Sequence, residues 1–191
     1  MTTYVIGDGG FAREVAAWAK AAGWQVRSLV GPERQKEIVE EAEWSGRPFN
    51  AFLGLGSPAL KKKVVAALGP LARYPSLQAG TVADGSLVGQ GCIICPGVVV
   101  TTNVTLGDFV TLNLGCTVGH DAVLDDFCSL MPQVAVSGFC RVGDGAYMGV
   151  HSAVLEGLRV GPGAVLGAGA VLTKDLPGGE TWVGVPARRL K

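Results

Sequence analysis

Between Val82 and Leu172 an aliphatic residue or methionine stands at every sixth position: Val82, Val88, Ile94, Val100, Leu106, Leu112, Val118, Leu124, Leu130, Val136, Val142, Met148, Val154, Val160, Leu166 and Leu172. Six matches neither the helical period of about 3.6 nor the strand period of two, and marks a unit stacked on copies of itself. Four residues after each aliphatic position i the chain carries a mostly small residue, among them Cys92, Cys116, Cys128, Cys140, Ala146 and Ala164. Positions i+1 to i+3 are rich in Gly, Asp, Asn and Pro, the residues that turn corners. Each hexad therefore predicts a short strand and a corner. Three hexads close a triangular coil of eighteen residues, with i and i+4 inward and neighbouring coils about 4.8 Å apart. Sixteen hexads give roughly five coils.

The residues before the repeat follow a different pattern. Thr3 to Ile6 reads as a buried strand entering Gly7-Asp8-Gly9-Gly10, followed by a helix from about Phe11 to Ala22 that places Val15, Trp18, Ala19 and Ala22 on one face and stops at Gly23. Trp24 to Val30 is a second strand. The charged run from Glu33 to Glu43 predicts a solvated helix. Phe49 to Leu53 is a third strand entering Gly54-Leu55-Gly56, and Ser57-Pro58 supply N-cap and N1 of a helix to about Leu68. Leu60, Val64 and Leu68 are expected as its inner stripe, with Lys61, Lys62 and Lys63 on or beside the outer, solvated face. Leu71 to Tyr74 adds a strand. The outcome is a small Rossmann-like parallel α/β domain over 1–76, a parallel β-helix of hexapeptide repeats over 77–175 and a cap over 176–191.

Sixteen basic and sixteen acidic residues cancel, so charge gives no reason to expect nucleic acid or an anionic membrane as a partner. No signal peptide or membrane-spanning run is apparent, which makes the cytoplasm the expected location. Cys92, Cys116, Cys128 and Cys140 share the inward i+4 slot and read as small buried hydrophobes. Cys95 is off that register but lacks partners at zinc spacing, and His120 and His151 are too few for a three-histidine metal site. No metal is expected.

Gly7-x-Gly9-x-x-Ala12 fits the dinucleotide fingerprint loosely. The carboxylate expected after the second strand is missing, Glu33 lying beyond Pro32, and the domain is short, so a nucleotide-bearing substrate suits the motif better than NAD. Both glycine turns follow strands and are expected to line one crevice. In the repeat, His120 sits at a corner and is followed by Asp121, a base with a carboxylate to fix its tautomer. One coil on, the same position is Gly138, whose bare backbone N–H is placed to meet a developing oxyanion. Cys116 faces inward, away from His120, which argues against a covalent route.

The [LIV]-G-x4 hexads, such as Val88-Gly89 and Leu106-Gly107, resemble the left-handed β-helix of hexapeptide-repeat acyltransferases. Together with Gly7-Asp8-Gly9-Gly10, Phe52-Leu53-Gly54, Leu112-Asn113, Gly119-His120-Asp121 and Gly184-Val185-Pro186-Ala187-Arg188, they resemble the bacterial sugar acetyltransferases of the sialic-acid and bacillosamine pathways, above all the N-acetyltransferases acting on nucleotide-linked 4-amino-4,6-dideoxy sugars. The resemblance implies a homotrimer with acetyl-CoA as co-substrate in the groove between neighbouring β-helices. It makes His120 the general base, Asp121 its partner, and Asn113 with Gly7, Asp8, Gly9, Gly10 and Gly54 the sugar-nucleotide site. It places acetyl-CoA against Gly138, Ser129, Gly149, Ala168 and Arg188. Ser129 stands where the bacillosamine enzyme has a second histidine, and Val30-Gly31 where it has an acidic pair. Sugar O-acetylation and a non-catalytic scaffold are the alternatives.

Overall fold

The computed structural model describes residues 1–31 and 34–190. Its first part is a four-stranded parallel sheet of order β2-β1-β3-β4, built from β1 (Thr2–Ile6), β2 (Val26–Val30), β3 (Phe49–Leu53) and β4 (Ala72–Arg73). Helices α1 (Gly10–Ala21), α2 (Gln35–Ser45) and α3 (Pro58–Leu68) connect the strands. Every residue of β3 is buried. In α3 the Ser57 hydroxyl accepts from the Leu60 N–H with Pro58 at the start, as the sequence predicts. Glu33 lies outside the described residues.

Two helix faces differ from expectation. Ala22 is the exposed C-cap of α1 rather than part of its buried face, which Ala12, Val15, Ala16 and Ala19 form instead. In α3 Leu60 is 42% exposed while Lys61 is 1% exposed, so the inner stripe is Lys61, Val64 and Leu68. Lys61 points inward because the coils offer its ammonium three acceptors: the Phe109 carbonyl at 2.6 Å, the Thr111 hydroxyl at 3.1 Å and the Cys128 carbonyl at 3.1 Å. A buried cation needs such partners to offset lost hydration, and even so burial pulls its pKa down to about 7.

The rest is a three-sided, left-handed β-helix. Two-residue strands pair with those eighteen residues away, as in Thr117↔Ala135 and Val118↔Val136. Leu77–Gln78 and Thr181–Trp182 extend one side at its two ends, but at an offset of sixteen residues rather than eighteen. Leu176 likewise bridges to Val160. Inward positions are filled as the period predicts, with Cys92, Cys116, Cys128 and Cys140 all fully buried. Each corner turns on a residue of positive φ at i+3; eight of these are glycines, and seven are Asn103, Phe109, Asp121, Phe127, Gln133, Phe139 and His151. A side chain there costs roughly 1–2 kcal/mol against other conformations, so a non-glycine needs a compensating contact.

The three sides differ in their outward residues. The docking side, whose strands end at Ile94, Leu112, Leu130, Met148 and Leu166, is covered by the α/β domain in its first coils, so Ile93, Thr111 and Ser129 are buried. The arginine side presents Leu87, Thr105, Val123, Arg141 and Arg159. The bare side presents Thr81, Val99, Thr117, Ala135, Ala153 and Val171, without a charge and with none of them fully buried.

Candidate functional site

His120 projects from the corner where the bare side turns into the arginine side. Its Nδ1 lies 2.9 Å from Asp121 Oδ2, and the two side chains are 49% and 37% exposed. With Nδ1–H donated to the carboxylate, Nε2 is left as the proton acceptor. The second carboxylate oxygen accepts from Asn103 Nδ2 at 3.4 Å, one coil away. Asp121 is held at φ 59, a conformation that Asp tolerates better than most residues.

One coil on, the His120 ring lies across Gly138. A Cβ on Gly138 would fall 2.6 Å from Cε1 and 2.7 Å from Nε2 of the ring. The Gly138 N–H has no hydrogen-bond partner among the described residues. At another corner the equivalent amides are capped by the aspartate of the next coil, Gln90 N–H by Asp108 at 3.0 Å and Asp108 N–H by Asp126 at 2.8 Å. Gly119 also keeps the nitrogen approachable, since a Cβ there would lie 2.5 Å from it. An acceptor base and an open backbone donor thus share one corner, the combination that acyl transfer requires. Phe139 closes the flank, its ring edge-on to His120 with centroids 4.9 Å apart and planes at 86°.

The remaining residues expected at the site lie elsewhere on the chain. Gly7 and Gly54 meet at the carboxyl ends of the adjacent strands β1 and β3, where the strand order reverses and ligands of such sheets gather. A Cβ on Gly7 would come within 2.8 Å of the Gly54 carbonyl oxygen, and one on Gly54 within 2.5 Å of the Ala12 Cα. Asp8, Gly9 and Gly10 are exposed at the start of α1, where Gly9 is an N-cap with no side-chain cap bond. Gly56 reaches the corner between the docking and bare sides, beside Met131. Asn113 sits one coil from Met131 on that corner, its Oδ1 accepting the Leu114 N–H at 2.7 Å, which leaves the amide NH2 to donate elsewhere. Gly149 and Ala168 stack farther along the same corner, and Arg188 lies exposed in the strand that pairs antiparallel with Thr181–Val183. A full side of the triangle therefore separates Asn113, Gly149 and Ala168 from His120, Asp121 and Gly138.

Ser129 departs from the expected role. It is fully buried under the α/β domain and its hydroxyl has no partner, so it has no surface on which to touch acetyl-CoA. Cys116 is buried as well, and burial pushes its thiol up to about 11, which removes a thiolate nucleophile from this corner. Asn103 and Phe139 were not singled out by sequence reasoning; both occupy the i+3 column of Asp121 at eighteen-residue offsets, which is where to look for them. Among the described residues no cluster of His, Cys, Asp and Glu is arranged to hold a metal, and no helix is long and apolar enough to cross a membrane.

No protein-family model matches the chain. A GDP-perosamine N-acetyltransferase of Escherichia coli O157:H7 is 36% identical over 116 residues, which cover 58% of this chain and 52% of that protein. A UDP-3-O-acylglucosamine N-acyltransferase of Caulobacter sp. (strain K31) is 34% identical over 117 residues, 61% of this chain and 34% of that protein. The chain thus spans about half or less of the length of these curated relatives. A variant of the perosamine N-acetyltransferase from Caulobacter crescentus, solved with CoA and GDP-perosamine, superposes with a TM-score of 0.93 at 25% identity, covering 100% of this chain and 97% of that one. Coils and α/β domain together give the chain the fold of this solved acetyltransferase over its whole described length.

Proposed function

We propose that the chain transfers the acetyl group of acetyl-CoA to the amine of a nucleotide-linked 4-amino-4,6-dideoxy sugar, with GDP-perosamine as the first candidate. The observation that carries this reading is the His120–Asp121 pair lying over the open N–H of Gly138. The amine nitrogen attacks the thioester carbonyl carbon and a C–N bond forms. His120 Nε2 takes the amine proton, while Asp121 holds the ring and the cation that results. The carbonyl oxygen gains charge against the Gly138 N–H. The C–S bond then breaks, and CoA leaves as the thiolate, which His120 reprotonates.

The site is assembled between copies of the chain. The outward strand residues of the bare side carry no charge, and the side is bounded by the His120 corner on one edge and the Asn113 corner on the other. Three copies packed with this side towards a threefold axis bring His120 of one against Asn113 and the glycine turns of the next, a head-to-tail contact that closes as a ring. Acetyl-CoA then lies along Gly149 and Ala168 of the neighbouring copy, with Arg188 near its phosphates.

The test is acetyl transfer from acetyl-CoA to GDP-perosamine, with UDP- and dTDP-linked 4-amino sugars and hydroxyl-only sugars in parallel. Transfer to a 4-amino sugar, lost on His120→Ala, is the expected result. Acetylation of hydroxyl-only sugars alone, or no consumption of acetyl-CoA with any acceptor, overturns the reading.

A further inference from the structure

We propose that Phe139 sets the length of acyl chain that the enzyme accepts, excluding groups longer than acetyl. The inference rests on the transferase reading above. Phe139 is 55% exposed and held at φ 58, in a corner column whose other occupants are Gly85, Asn103, Asp121 and Gly157. Two other phenylalanines share this backbone conformation, and burial accounts for one of them. Phe109 is 5% exposed, stacks on Phe127 with centroids 4.8 Å apart, and meets Tyr74 at 5.0 Å. Phe139 has no such cover. Among the aromatic rings of the described residues it meets only His120, and its own N–H donates to the His120 carbonyl at 2.9 Å. A bulky apolar side chain in a disfavoured conformation, open to solvent beside the base, has no role in the interior of the column.

Its place relative to Gly138 defines the role. A thioester whose oxygen meets the Gly138 N–H, and whose carbonyl carbon faces an amine held at His120 Nε2, must direct the substituent of that carbon away from both. The side chain that follows Gly138 in the chain is Phe139. For an acetyl group the substituent is a methyl, which an aromatic face accommodates by van der Waals contact. Each further methylene has to enter the space the ring occupies. Of the relatives named above, one is named for acetyl transfer and the other for acyl transfer.

The experiment compares acetyl-, propionyl- and butyryl-CoA with the wild type and Phe139→Gly, glycine being the residue best suited to this backbone conformation. The quantity read is the ratio of kcat/KM for butyryl-CoA to that for acetyl-CoA. It is expected to rise at least ~10-fold in Phe139→Gly, because one or two methylenes in an apolar pocket discriminate by that order. Phe139→Leu should fall between. Calorimetric binding of acetyl-CoA and butyryl-CoA needs no sugar acceptor, so absent turnover would sink the transferase reading while the acyl comparison is still measured. An unchanged ratio in both assays overturns the proposal, including when Phe139→Gly weakens self-association, which would make the ring a contact between copies.

Discussion

The His120 ring rests on Gly138 so closely that a single added carbon would fall 2.6 Å from Cε1 and 2.7 Å from Nε2. Gly138 is not in the left-handed region, so its backbone tolerates alanine. Gly138→Ala should therefore fold normally yet displace the ring and cover the neighbouring N–H. A loss of roughly 10²- to 10³-fold in kcat is expected, the size seen when one oxyanion donor is removed. Steady-state kinetics beside a thermal melt check this; a variant of unchanged kcat would show that neither the ring position nor the amide matters.

Asp121 adopts a left-handed conformation that asparagine accepts equally well, so Asp121→Asn changes charge with little change in backbone energy. With the carboxylate gone, His120 loses the partner that fixes its tautomer and supports its cationic form. We expect kcat to fall about 10-fold or more, while His120→Ala falls by about 10²- to 10⁴-fold. Equal activity of Asp121→Asn and wild type across pH would remove Asp121 from the mechanism.

If the site forms between copies, two inactive variants should repair one another. In an equimolar mixture of His120→Ala and Asn113→Ala chains, unfolded and reassembled together, roughly one site in four has an intact histidine facing an intact asparagine of the next copy. Activity should recover to about that fraction. A mixture as inactive as its parents would place both residues in one copy's site or outside it.

Lys61 makes stability depend on pH in a defined direction. Its pKa is about 7 in the folded chain, lowered from 10.5 by burial. Below about pH 7 both states carry the charge and the folded state bears the cost of burying it. Between about 7 and 10.5 only the unfolded chain holds the proton, so stability rises with pH. The nearby thiols of Cys128 and Cys92 are pushed up to about 12 and about 11, and do not titrate within the lower part of this range. Denaturation of wild type and Lys61→Met at pH 7 and 9 should show wild type gaining on the order of 2 kcal/mol relative to the variant. A constant difference would mean Lys61 stays charged throughout.

Local pattern revealed the coils, the inward cysteines, the order of β1, α1, β2, α2, β3 and α3, and the corner placement of His120, because each depends on neighbours in sequence or on a strict period. Lys61 did not show itself. It and Leu60 each complete a helical stripe with Val64 and Leu68, and only the docked coils, contacted at Phe109, Thr111 and Cys128, decide which of the two is buried. The same docking hides Ser129, a residue whose outward position in the period says surface. The distance between Asn113 and His120 was implicit in the eighteen-residue ruler, since seven residues span little more than one hexad and therefore more than one corner. What no single chain's pattern contains is the neighbour that closes that gap.

The eighteen-residue spacing also governs how a column like this can change in length. A whole coil inserted after the one that carries Gly138 would leave His120, Asp121 and Gly138 on the same corner in the same order, and would move the tail at Arg188 by one strand spacing, ~4.8 Å. Insertions that are not whole coils would rotate the following corners by one or two thirds of a turn, or break the column. Reach along the cofactor can therefore lengthen in discrete steps while the chemistry at the corner stays where it is.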